Sequence, residues 1–328
     1  MSAEPITSWF KARWNHFWFE PSAPTDLGVS RILAYGILLR LFWSLDTSAW
    51  ASVPHTFWMP IPLFRFLDLP LLSGPVLHVL DVSWKVALGL SCVGAWTRVS
   101  TLCSFVVGIY LLGLPQNFGK VHHPTTIVVL LLAVVAVSRS GDAWSIDAWA
   151  HRIRRARRGL PPRPPPTSPE YTWPLRLIGV LFALVYFGAA ISKLRDSGLA
   201  WVTSDNLRLL LIAHHYHHLP PTAWGLHLAQ YPWLGHLQAA AALTLELSMV
   251  LTIFHRTARR ILLPSIVAMQ SGIWLLMGVP FTPFASALPF LIPWKRCGRR
   301  LVEWLGGDRK FVVLYRGREA GTTGRGSP

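Results

Sequence analysis

A lysine that closes a long apolar run is the residue of this sequence best placed to do chemistry. Lys193 ends the uncharged stretch 177–191 within WPLRLIGVLFALVYFGAAISKLRDSGLAW, residues 173–201. Burial disfavours a charged ammonium and makes a lysine available as a base. The bland reading is an interfacial lysine that snorkels to the headgroups, paired with Asp196 or Glu246. His122 and His123 stand just before Pro124 at a helix start, where imidazoles can bind an anion, shuttle protons or cap the helix. Glu246 is a carboxylate at membrane depth, there either to neutralise Arg40 or to serve a site. Arg40 lies deep in the first apolar segment, and an arginine there faces the bundle or a wet cavity. His214 and His218, in HHYHH, share one helical face as two zinc ligands do. No third ligand is fixed by spacing, so His122 or His123 would have to supply it, and no metal is expected. The sequence contains no Gly-rich phosphate loop, GxSxG elbow or CxxC.

The elements that must position these residues are membrane helices. The chain has 328 residues, 52% of them hydrophobic and only 14% charged, which excludes a pair of ordinary soluble domains. About twenty residues at roughly 1.5 Å each cross a hydrocarbon core about 30 Å thick. Apolar segments are expected at 27–45, 76–96, 99–114, 124–137, 173–193, 234–254, 261–279 and 281–294. The fold class is therefore all-α: a polytopic membrane bundle of about eight spanning helices plus interfacial helices at 8–19 and 205–218. In the segment that ends at Lys193, Gly179, Gly188, Ala189 and Ala190 are the small residues expected to let neighbouring helices approach. Asp81 and Lys85 are four apart, acid first, and form a self-neutralising pair on one helix face. The Pro-rich stretch 51–75 is a loop with interfacial pieces.

The net charge of +16 suggests nucleic acid in a soluble protein, but here the arginines sit in short loops between apolar segments. That is the positive-inside pattern, and no nucleic-acid partner is expected. The densest cluster, Arg152, Arg154, Arg155, Arg157, Arg158 and Arg163, marks a cytoplasmic linker over 151–170 between the two halves of the bundle. Alternation of the helices then places 255–260, KRCGRR, the Thr97, Arg98 turn and the N-terminus on the same side. It places Asn117, Lys120, His122, His123, Lys193 and the HHYHH stretch together on the extracytoplasmic side. The expected domains are a cytoplasmic amphipathic segment 1–26, a bundle 27–294 and a basic cytoplasmic tail 295–328. Seventeen tryptophans, many near segment ends, form an interfacial belt. The three cysteines have no motif spacing, which argues against a disulfide framework. The N-terminus has no continuous apolar region and no small-residue cleavage site, so the first spanning segment is expected to direct insertion, into the plasma (inner) membrane.

Three stretches, DLGVSRILAYGILLRLFW, GKVHHPTTIVVLLLAVVAVSRSGDAWSIDAW and YFGAAISKLRDSGLAW, resemble the horizontally transferred transmembrane (HTTM) domain family. Its best-known member is the vitamin K-dependent γ-carboxylase, and the resemblance runs over about residues 19–294. It implies that Lys193, in Ala-Ala-Ile-Ser-Lys-Leu, matches the lysine that deprotonates a reduced quinone, with O₂ then generating a strong base. It also implies that His123, or His122 with a one-residue shift, belongs to the same site, with Glu246, Arg40 and Asn117 supporting the quinone. Where the family carries a histidine before a Gly-Phe-Pro-like turn, this sequence has Ala268, with Gln270 its polar neighbour. The large extracytoplasmic domain that grips protein substrates is not expected after residue 294, which argues against carboxylation of protein glutamate. RKFVVLYRG in the tail resembles the first strand of a thiol-disulfide oxidoreductase-like domain, without its cysteines. The resemblance implies oxygen-dependent chemistry on a reduced quinone, or a modification coupled to it, with membrane lipid, a quinone and a secreted peptide or protein substrate as the expected partners. The reading from another class is a non-enzymatic scaffold, lipid binder or accessory factor for export or maturation of a secreted peptide.

Overall fold

A computed structural model of the chain describes residues 4–119, 124–161 and 165–304. Lys120, His122, His123, Arg163 and the strand-like RKFVVLYRG lie outside the described residues. The first half of the bundle consists of α1 (Glu4–Phe19), α2 (Thr25–Phe42), α3 (Pro62–Phe66), α4 (Gly74–Val93), α5 (Thr97–Gly113) and α6 (Pro124–Val137). Helix α7 (Ile146–Arg157) connects it to α8 (Thr172–Ser197), α9 (Ala200–Thr203) and α10 (Asn206–His218). There follow α11 (Trp224–Ala229), α12 (Pro232–Ser248), α13 (Leu251–Phe254), α14 (Arg256–Met277) and α15 (Thr282–Ala285). The chain divides after Leu291, and the described part of the second unit is α16 (Trp294–Trp304), a basic helix. Among the described residues the one β-contact is an isolated bridge between Ser22 and Ser168, which ties the end of α1 to the start of α8.

Among the described residues, five stretches are long and apolar enough to cross a membrane: Gly74–Val93, Thr97–Phe118, Pro169–Ser197, Pro232–Phe254 and Arg256–Met277. Helix α2 has 18 residues but carries Asp26, Arg31 and Arg40, and Pro124–Val137 is shorter. The last expected span differs from a single helix. Residues 281–294 form α15 and then a 3-10 turn at Leu288–Leu291, because Pro283, Pro289 and Pro293 each remove a backbone donor. A second difference lies at the start of the expected linker 151–170, where residues 151–157 belong to α7.

Burial follows an inside-out pattern that only a bilayer rewards. On α4 the exposed side chains are Val79, Val82, Val86 and Val93, while Asp81, Trp84 and Ser91 are buried. On α5 Val99, Leu102 and Val106 are exposed, while Thr97, Ser100, Thr101 and Ser104 are buried. Valine facing outward and serine inward is favourable where the surroundings are lipid tails and the interior supplies hydrogen bonds. The Trp84 indole donates to the Ser104 carbonyl at 2.8 Å, and the Ser91 and Ser104 hydroxyls lie 3.2 Å apart. Around this seam Tyr35, Leu38, Trp84, Leu111, Val128 and Phe182 join α2, α4, α5, α6 and α8 into one core. Of the small residues expected to seat neighbouring helices on α8, Gly179 does so against Leu291 and Ala190 is buried. Gly188 and Ala189 instead face outward, because the helix presents them on the side away from its neighbours.

Charges inside the bundle are satisfied locally. Lys85 reaches Asp81 at 2.5 Å and the Leu45 carbonyl at 2.7 Å, the pair expected from their spacing. Arg31 is fully buried and donates to the carbonyls of Ser140 at 2.9 Å and Trp144 at 2.6 Å, stapling α2 to the turn before α7. Gly94 makes room for this guanidinium: a Cβ there would lie 2.7 Å from Arg31 Nη1, and φ of +70° disfavours a side chain in any case.

The first turn of α7 is fixed to the α4–α5 turn by one carboxylate. Asp147 accepts from the Trp96 N–H at 2.9 Å, the Thr97 N–H at 2.6 Å and the Thr97 hydroxyl at 2.7 Å. Burial pushes its acidity the other way, but these hydrogen bonds and the Arg31 charge outweigh it and hold the carboxyl below its ordinary value. The stability it contributes is therefore fully present above the unfolded-state pKa and is lost as pH falls through the lower folded-state value. Asp147→Asn is expected to lower the detergent-phase melting temperature at neutral pH. The gap from wild type should close on acidification below the ordinary carboxylate range, as thermal melts across a pH series would show.

Candidate functional site

Lys193 lies in the last turns of α8, and its side chain leans back toward the helix start, the direction in which every helical Cβ tilts. That direction points into the bundle. The ammonium meets both oxygens of Glu246 on α12, Oε1 at 2.6 Å and Oε2 at 2.5 Å. The lysine side chain is 24% exposed and the carboxylate 9%, so the pair sits at the edge of the buried region. Trp201 covers it from the other side, its ring 5.1 Å from Nζ. Gly198 makes this lid: it ends α8 with φ of +57° and ψ of −144°, and the chain turns back into α9, which carries Trp201. Of the two partners open to Lys193 on sequence grounds, the fold selects Glu246. Asp196 is exposed and accepts instead from the Ser192 hydroxyl at 3.0 Å.

The remaining sequence candidates are scattered. Arg40 is in the last turn of α2 and exposed, not buried beside Glu246, because α2 ends at Phe42 and its final turn reaches the rim of the bundle. Asn117 is fully buried, and its amide serves as a latch. Its Oδ1 accepts from the Ile61 N–H at 2.8 Å, and its Nδ2 donates to the carbonyls of Gly113 at 3.0 Å and Leu114 at 3.2 Å. These bonds hold the Pro-rich loop against the end of α5. His122 and His123 fall in the segment outside the described residues. His214 and His218 stack with ring centroids 4.8 Å apart, and among the described residues no three His, Cys, Asp or Glu side chains converge as a metal site. Burial first, then the neighbouring His218 and His217, lowers the His214 pKa below the ordinary imidazole value.

Two helical turns before Lys193 along α8, the bundle contains a cavity of about 400 Å³ between α8, α14 and the segment 280–288. Its walls are largely aromatic, with Phe182, Tyr186, Trp274, Phe281 and Phe284 around the amide of Gln270. Tyr186 lies two turns before Lys193 on the same face of α8, about 10 Å along the axis, and within electrostatic reach of Glu246. Gln270 Nε2 donates to the Tyr186 hydroxyl at 3.1 Å. Gln270 Oε1 is buried and has no hydrogen-bond partner among the described residues. A buried acceptor left unsatisfied costs about 1–3 kcal/mol, so it favours an incoming donor. Tyr186 was not singled out by sequence reasoning, although it is a lone polar ring in an apolar run on the face that leads to Lys193.

Apolar outer faces on long helices, with charges paired between them, define a polytopic integral membrane protein. Among known families, the model described as the HTTM domain matches residues 19–272, and the chain belongs to that family. No curated protein and no solved structure matches the chain.

A double-mutant cycle tests the central pair. Lys193→Met leaves a mostly buried carboxylate unpaired and should destabilise the bundle by about 2–3 kcal/mol, discounted from the fully buried case for the exposed lysine. Glu246→Gln should cost less, and the double variant should be more stable than the sum of the two losses predicts. Additive losses in detergent melts would mean that the two side chains do not interact.

Proposed function

We propose that the bundle binds a reduced quinone in the cavity beside Tyr186 and Gln270, and that Lys193 is the base for oxygen-dependent chemistry on it. The observation that carries this reading is the pairing of Lys193 with Glu246 two helical turns from an aromatic cavity that holds an unsatisfied acceptor. Flat aromatic walls suit a quinone ring, and about 400 Å³ falls in the usual range for small-molecule sites. Gln270 Oε1 fits a ligand hydroxyl. When bound, a reduced quinone supplies an acidic hydroxyl proton and the electrons that O₂ takes up.

The protein's part is to move one proton. The ammonium of Lys193 passes a proton to Glu246 at 2.5 Å, leaving a neutral amine beside a protonated carboxyl. Tyr186 and Gln270 would hold the ring of the quinone, and a hydroxyl brought within reach of the neutral amine would give its proton to Lys193. Trp201 screens this exchange from water. By resemblance to the family's motif, His123 or His122 would belong to the same site. Lys193 lies at the extracytoplasmic end of the bundle in the plasma (inner) membrane, with both termini cytoplasmic. That orientation is supported by Arg176, Arg256 and Arg259, which lie within electrostatic reach of one another at the start of α8, the end opposite Lys193.

A second reading rests on the same pair. An ammonium held by both carboxylate oxygens and covered by an indole is also how a structural brace looks, as in a non-enzymatic scaffold, lipid binder or accessory factor for a secreted peptide. The two readings separate on detergent-purified protein given a reduced naphthoquinone and oxygen. Wild type is expected to bind and turn it over, and Lys193→Ala to lose about 10²–10⁴-fold in rate. Gln270→Leu should weaken binding while leaving Lys193 in place. Absence of both binding and turnover in folded wild type would end the enzymatic reading in favour of the brace.

A further inference from the structure

Helix α7 is amphipathic, yet none of its residues is buried against the rest of the protein. Ile146, Trp149 and Ile153 fall at i, i+3 and i+7 on one face. Ile146 is 46% and Trp149 63% exposed. Around the other face stand Arg152, Arg154, Arg155 and Arg158, while Arg157, four residues after Ile153, ends the apolar stripe in the last turn. A helix that is only solvated has no reason to gather apolar side chains along one stripe.

The place of α7 is set at its first turn. Besides the three bonds to its carboxylate, Asp147 donates its own N–H to the Gly94 carbonyl at 3.1 Å, and the Ser145 hydroxyl caps the helix at the Ala148 N–H at 2.9 Å. The turn that receives these bonds lies where the lipid-facing surface of the spans ends. Val93 on α4, Trp96 in the turn and Val99 on α5 are all exposed there, as is Val137 at the end of α6. The first turn of α7 is therefore bolted to the rim of the apolar surface. Its exposed stripe and its arginines therefore start at the depth where that apolar surface stops.

We propose that α7 lies in the headgroup layer with Ile146, Trp149 and Ile153 toward the acyl chains, and that its arginines bind the phosphates of anionic phospholipids. Charge complementarity selects this occupant. Guanidinium groups pair with phosphate oxygens through two parallel N–H bonds, and a basic amphipathic helix gains both from apolar burial and from an anionic surface. The inference needs the membrane-spanning bundle but not the quinone chemistry, so it stands or falls separately from the proposed reaction.

The test uses the full chain. Arg155 is left intact because it also donates to the Pro161 carbonyl at 3.2 Å. The variant is Arg152→Gln/Arg154→Gln/Arg158→Gln, checked for an unchanged melting temperature in detergent. Titrated with short-chain phosphatidylglycerol and, in parallel, phosphatidylcholine, wild type should prefer the anionic lipid, and each arginine removed should lower its affinity about fivefold. In nanodiscs, hydrogen exchange across residues 146–157 should slow when phosphatidylglycerol is added to phosphatidylcholine in wild type and not in the variant. Equal affinity of wild type and variant for phosphatidylglycerol, or exchange that does not respond to it, would overturn the proposal. So would protection of α7 by a soluble polyanion such as polyglutamate or an oligonucleotide but not by the lipid, which would assign the arginines to a macromolecular partner.

Discussion

Hydrocarbon solvates neither a charge nor a free backbone group, and that constraint organises the described charges inside this bundle. Arg31 is answered by two carbonyls, Lys85 by Asp81 and the Leu45 carbonyl, and Lys193 by both oxygens of Glu246. Each answer joins separate pieces of chain. Arg31 holds α2 to the turn before α7, Lys85 holds α4 to the end of the first span, and Lys193 holds α8 to α12. The polar seam of α4 and α5, from Thr97 to Ser91 and Ser104, works the same way with neutral groups. Valines on the outside of these helices then meet lipid without competing for the interior.

The same constraint gives the Lys193 region its chemical interest. A paired ammonium and carboxylate in a low-dielectric setting can exchange a proton without separating charge over any distance. Two helical turns away on the same face of α8 lies a polar link, Tyr186 to Gln270, that ends in an acceptor with no hydrogen-bond partner among the described residues.

Much of the architecture was legible because lipid demands long uncharged helices. The expected segments at 76–96, 99–114 and 124–137 appear as α4, α5 and α6, and 205–218 as α10, with ends shifted by a few residues. Two segments were not legible. Over 281–294 the apolar composition hid a chain broken by prolines, and in 146–157 the density of arginine masked a helix whose apolar stripe is only three side chains wide. Hydropathy averaged over a window discards both signals, because neither a missing N–H nor a narrow stripe changes the average much.

The sequence by itself determined that this is an all-helical membrane protein, where its main helices run, and that Glu246 is a charge at membrane depth, while it left Lys193 between an interfacial anchor and a buried base. Those conclusions need only the energetics of single residues in lipid, which composition and spacing report directly. Tertiary structure decided which charge answers which. It joined Lys193 to Glu246 across 53 positions of sequence, sent Arg40 to the rim, turned Asn117 into a latch and set Tyr186 with Gln270 at a cavity. Partner choice depends on the rotation and depth of one helix against another, and those are set by packing of whole faces rather than by any residue's own preference.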